Sequence, residues 1–299
     1  MLCFMEKFLP LPLPFPAFPR LRVSFTLFQA WTFANPGHSS ELRPKTMKSI
    51  LLLLLASTVA ASAALTSKEL ESIGHRVWQN ECAGTRDGLT SWNQGENFAS
   101  LGIGHFIWYP KGVDGPFEES FPKLLRTFAE SGVKLPAWLQ PGMKCPWQTR
   151  AEFEAALHSD RLNELRDLLA STIPLQSRFL AERMEQALPK MLAEAPAADR
   201  ENVRQQFERL SSSGAGMFAL IDYVNFKGEG TNPRERYKGE GWGLLQALSG
   251  MHGSGPGAVK EFSVSCAAIL TKRVQNSPPE RHEEKWLAGW KNRVRAYAE

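Results

Sequence analysis

Apolar residues recur at helical spacing through most of the chain, with one short interruption where they alternate. Thr66 followed by Glu69 reads as a capping box, and Leu70, Ile73, Val77 and Trp78 then fall on one helical face. Phe98, Leu101, Ile103, Phe106 and Ile107, around Gly102 and Gly104, suit a short hairpin near 97–109. From Ser120 on the pattern is helical again: Leu124, Leu125 and Phe128 up to Gly132, then helices around Phe153 and Leu157, Leu162 to Leu169, Phe179 to Met191 and Val203 to Leu210. Breaks are expected at Pro174 and near Pro196, and Thr149 with Glu152 forms a second capping box. A strongly apolar helix bears Met217, Leu220, Ile221 and Val224, and a last amphipathic one bears Trp286, Leu287, Trp290 and Val294. The fold class expected is mainly α with a small β element near 97–109 and a helical portion over 120–299.

The first residues change how much of the chain belongs to that fold. Residues 1–46 are rich in Pro, Phe and Leu, with prolines too frequent for helix or central strand. Met47-Lys48-Ser49, the apolar run from Ile50 to Leu55 and the small residues Ala61-Ser62-Ala63 then have the layout of a secretory signal peptide over 47–63. On this reading 1–46 is an extension that is not native, translation begins at Met47, and the mature domain spans 64–299. A periplasmic or secreted monomer with no membrane span after cleavage is the expectation.

Charge follows from that boundary. The whole chain carries 35 basic and 31 acidic residues, formally +4, but residues 1–63 hold six basic and two acidic, which leaves 29 of each in the mature part. No global positive field steers the domain onto a polyanion, and no basic run or groove-binding motif favours nucleic acid. The mature part keeps Cys82, Cys145 and Cys266, so at most one internal disulfide is possible. Cys82 with Cys145 is the preferred pair, with three buried free thiols as the alternative. No Cys/His spacing suggests a metal, and no cofactor is implied.

Candidate chemistry concentrates between Glu81 and Pro110. Eleven residues beyond Leu70, Glu81 returns to the apolar stripe, where partial desolvation would favour the protonated form a general acid needs. The alternative is a helix-end Glu bonded to a nearby Arg or backbone amide. Trp92 and Asn93, and Trp108 and Tyr109, flank the following acidic loop and could stack against or hydrogen-bond sugar rings, or could be core and hinge residues. A second polar concentration, GEGTNPRERYKGEGWG, carries Glu229, Arg234, Arg236, Tyr237 and Glu240, and could rim a cleft or lie on the surface.

The run SLGIGH, preceded by a helix-end Glu, an acidic loop and a hydroxyl residue, resembles the active-site region of the phage-type lysozymes, the family-24 glycoside hydrolases. ALIDYVNFKGEG (219–230) resembles that family's buried central helix, and Leu244–Gln246 and TKRVQNSPPER (271–281) resemble its later helices, in the same order. The patches cover about a third of the mature chain.

Residue by residue, the resemblance makes Glu81 the acid, puts Ser100 where the family has a Thr that holds the attacking water, and matches His105 to the His of the Gly-x-Gly-His turn. The second carboxylate departs from the pattern. The family has Glu, eight residues, Asp or Cys, five residues and Thr, whereas fourteen residues separate Glu81 from Glu96 and three separate Glu96 from Ser100. Glu96 is the better candidate and Asp87 the second. The resemblance implies a two-lobed lysozyme-like α+β domain that cleaves peptidoglycan or a related glycan without a metal or cofactor. Its rivals are a lytic transglycosylase that uses Glu81 alone, and a glycan-binding envelope protein without turnover.

Overall fold

The computed structural model describes residues 65–115 and 117–299. The expected signal peptide, its cleavage site and the expected 1–46 extension lie outside the described residues. What is described is mainly helical with a small antiparallel sheet.

Helix α1 (Ser67–Cys82) begins at the expected capping box: the Glu69 amide donates to Thr66 Oγ1 at 3.3 Å, and the Thr66 amide donates to Glu69 Oε2 at 2.8 Å. It ends at Ala83, whose φ of 53° turns the chain away. A single 3-10 turn (Asp87–Leu89) leads into strands β1 (Thr90–Ser91), β2 (Ala99–Leu101) and β3 (Phe106–Trp108), ordered β1-β2-β3 and antiparallel throughout. The register pairs Ser91 with Ser100 and Ser100 with Ile107. The expected hairpin is therefore the β2–β3 pair, and β1 joins it from outside the expected range.

The helices that follow are α2 (Phe121–Glu130), α3 (Arg150–Ala155), α4 (Asp160–Ser171), α5 (Ile173–Glu194), α6 (Arg200–Ser211), α7 (Gly214–Lys227), α8 (Leu244–Ser249), α9 (Ala258–Asn276) and α10 (Glu284–Arg295). The break expected at Pro174 falls between α4 and α5, with Pro174 in the first turn of α5, where its missing N–H has no intrahelical partner to lose. The box at α3 is half formed, since Thr149 Oγ1 accepts from the Glu152 amide while the Glu152 carboxylate turns back to the Gln148 amide. Helix α7 is buried around nearly its whole circumference and packs against α1, α5, α6, α8 and α9. It is the axis of the helical core.

The second polar concentration folds into a ribbon, β4 (Arg236–Tyr237) with β5 (Glu240–Gly241), packed on α9. Two of its polar side chains, Tyr237 and Glu240, are met by neighbouring elements. Tyr237 Oη donates to Glu283 Oε1 at 2.8 Å, Glu283 holds the Arg273 guanidinium at two points, and Glu240 pairs with Lys272.

The expected bridge between Cys82 and Cys145 is corrected: both are free buried thiols, as is Cys266. Cys82 Sγ faces the Gly102 carbonyl at 3.6 Å, whereas Cys145 is held at the far end of the sheet, its amide donating to the Tyr109 carbonyl at 3.0 Å. Burial pushes both thiols up to about 12, which leaves them unreactive at neutral pH.

Candidate functional site

Glu81 is the penultimate residue of α1, and its side chain is only 6% exposed. It meets groups from two distant parts of the chain. Oε1 accepts from Nη2 of Arg293, on the last turn of α10, at 2.5 Å, and Oε2 lies 3.7 Å from Nδ1 of His105. Behind Arg293 stands Asp222 of α7, whose side chain is wholly buried. Asp222 accepts Nε and Nη2 of Arg293 at 2.8 and 2.7 Å, Tyr297 Oη at 2.6 Å and Asn80 Nδ2 at 3.0 Å. Burial pushes the Asp222 carboxyl up, but the Arg293 charge and these hydrogen bonds outweigh it and hold it below the ordinary range. Burial and the facing Asp222 charge drive the Tyr297 phenol well above its usual value, so it stays a donor.

His105 reaches Glu81 because of the turn before it. Gly102 has a φ of +67°, and a Cβ there would lie 2.4 Å from Gln176 Oε1. The close approach lets Gln176, fully buried on α5, accept the Ile103 amide at 3.0 Å while its Nε2 donates to the Leu169 carbonyl at 2.6 Å. His105 itself takes a φ of 48°. A non-glycine residue in the left-handed region costs on the order of 1 kcal/mol or more, so the surrounding packing has to impose it.

The Glu96 loop forms a second group. The Trp92 indole N–H donates to the Glu96 carbonyl at 2.8 Å, Asn93 Nδ2 donates to Glu96 Oε2 at 3.1 Å, and the Ser100 hydroxyl faces the same carboxyl. Burial pushes Glu96 up to about 6, with the Asn93 and Ser100 contacts pulling the other way. Glu96 Oε1 and Ser100 Oγ are buried and have no hydrogen-bond partner among the described residues. Polar atoms so placed suit a bound water or a ligand hydroxyl.

The structure thus brings Glu81 and His105 together, and separately gathers Trp92, Asn93, Glu96 and Ser100. No direct contact joins the two groups among the described residues. Asp87 lies in the 3-10 turn with its side chain 82% exposed, its Oδ1 3.6 Å from Arg166 Nε. Of the flanking aromatics, Trp108 is fully buried against Phe121 and Trp147 and donates to the Met143 carbonyl. Tyr109 packs edge-on against Phe98, and its hydroxyl is covered by Gly115. Trp92 packs against Phe153. None of the three offers an open ring face for stacking, and Trp92 acts through its hydrogen bond to the acidic loop.

Asp222, Arg293, Asn80, Tyr297 and Gln176 were absent from the sequence-based candidates. Asp222 carried a signal, as the one charged residue between Gly214 and Phe226 in an otherwise apolar helix. Arg293 carried none: its partner lies 212 positions away. Among the described residues no His/Cys/Asp/Glu group could hold a metal ion, and no helix is long and apolar enough to cross a membrane.

No protein-family model, curated protein or solved structure matches this chain.

Proposed function

We propose that the chain is an exported, lysozyme-like glycosidase that cleaves peptidoglycan, with Glu81 as the acid and Glu96 as the second carboxyl. The observation that carries this reading is the convergence of Glu81 and His105. The two residues that the resemblance assigns to one site come from a helix end and a glycine turn, and their side chains lie 3.7 Å apart in a mostly buried setting. Glu96 Oε1 and Ser100 Oγ, neighbouring buried atoms without a partner among the described residues, support the rest of the reading: Glu81 protonates the leaving oxygen, while Ser100 and the Glu96 carboxylate hold and activate a water.

A second reading is favoured by one contact. The 2.5 Å pair with Arg293 locks Glu81 as a counter-ion, as in a glycan-binding protein without turnover. Incubation of the chain and of a Glu81→Gln variant with purified peptidoglycan, with products resolved by mass spectrometry, separates these readings. Reducing-end fragments from the parent and none from the variant support hydrolysis. Anhydro ends point to a transglycosylase, in which Glu96 has no role. Saturable binding without cleavage by either protein sinks the enzyme and favours the binding protein.

A further inference from the structure

Arg293 makes its contacts in an order that the planarity of its side chain dictates. A guanidinium presents Nε–H and one Nη2–H along one edge, and the second Nη2–H points away in the same plane. Asp222 accepts on that edge with both oxygens, Oδ2 from Nε at 2.8 Å and Oδ1 from Nη2 at 2.7 Å. Once the edge is held, the direction of the remaining Nη2–H is fixed, and it falls on Glu81 Oε1. Asp222 cannot swing away, because Tyr297 and Asn80 hold its two oxygens.

We propose that Asp222 is a positioning residue for the Glu81 site: it grips Arg293 along one edge, so that a single N–H fixes Glu81 Oε1 and Oε2 is turned toward His105. This rests on the glycosidase reading above and names the oxygen that carries the transferred proton. Oε1 is occupied as an acceptor, which leaves Oε2, beside His105, as the oxygen open to a proton. One guanidinium stands between two carboxylates, and its two-point pair with Asp222 is complete without Glu81. Arg293 therefore keeps its place when Glu81 is replaced by Gln.

The test compares the full chain with Asp222→Asn, Glu81→Gln and Tyr297→Phe variants by two readouts. The first is kcat and KM on solubilised peptidoglycan. The second, independent of activity, is NMR of the Arg293 side chain, in which restricted rotation gives separate signals for the two Nη2 hydrogens. The parent and Glu81→Gln are expected to show separate signals, and Asp222→Asn merged ones, with kcat about 10- to 100-fold lower and KM within about twofold. Tyr297→Phe removes one donor to Asp222 but keeps its charge, and it serves if Asp222→Asn does not fold. It is expected to lower kcat about threefold to tenfold at unchanged KM. Merged signals in the parent, or unchanged kcat in whichever variant folds, overturn the proposal. A parent that cleaves nothing overturns the glycosidase reading by itself, and the Nη2 signals then still decide whether Asp222 fixes the guanidinium.

Discussion

Glu81 and Glu96 are both withdrawn from water, yet they are held in opposite ways. Glu81 sits among helices, where Arg293 occupies one oxygen and His105 stands by the other. Glu96 sits on a loop, where it has amide and hydroxyl neighbours and, among the described residues, no cation at its carboxyl and one oxygen without a partner. Burial alone pushes a carboxyl toward its neutral form, and a nearby guanidinium offsets that push. One carboxyl thus faces a cation and the other, pushed up to about 6, is biased toward the proton, the reverse of the acid and base roles proposed above for Glu81 and Glu96.

The contrast can be broken most severely at Asp222. Replacing it with Ala leaves Arg293 and the Tyr297 and Asn80 donors without their shared acceptor, and we expect a loss of about 3–5 kcal/mol by urea denaturation. A loss below about 1 kcal/mol would show that Arg293 is held in place without Asp222. Next comes the joint between the two regions. Gly102→Ala forces a Cβ into Gln176 at a positive φ, and a loss of about 2 kcal/mol is expected, together with faster exchange of the Ile103 amide.

A smaller effect sharpens the Glu96 side. Its native pKa is raised, so the folded state binds more protons than the unfolded one, and stability falls as pH rises from 4.5 to about 6. After allowance for solvent screening, that fall is on the order of 1 kcal/mol. Denaturation of the parent and of Glu96→Gln at pH 4.5 and 7.5 should show the step in the parent alone. The smallest effect belongs to Glu81→Gln. With Arg293 still paired to Asp222, its stability should lie within about 1 kcal/mol of the parent. A larger loss would mean that the three charges act as one unit.

Much of the helical frame is legible in the chain. The Thr66–Glu69 box, the all-round apolar α7 and the stop at Gly132 are local signals, and local physics decides them. The site is only half legible for the same reason. The Glu81 stripe and the glycine turn are local, but Arg293 reaches Glu81, and Asp222 reaches Arg293, only through contacts between residues far apart in sequence. The aromatics show the limit of composition: Trp and Tyr near an acidic loop suit either a sugar or a core, and here Trp108 and Tyr109 fill the core. The cysteine pairing failed because a polar surrounding in sequence does not report which way a side chain faces.

The two regions also differ in how much change of length they can absorb. The segment between β1 and β2, which carries Glu96, is closed at both ends by the pairing of Ser91 with Ser100 and Thr90 with Leu101. Extra residues in such a closed segment cost only about 0.6 kcal/mol for each doubling of its length. The turn from Gly102 to His105 has no such freedom, because Gln176 measures its distance from α5. Insertions and deletions would therefore gather around Glu96 and spare the turn. In the proposed site, Glu81, His105 and Arg293 would then be the fixed side, and the segment that carries Glu96 the part whose spacing can change.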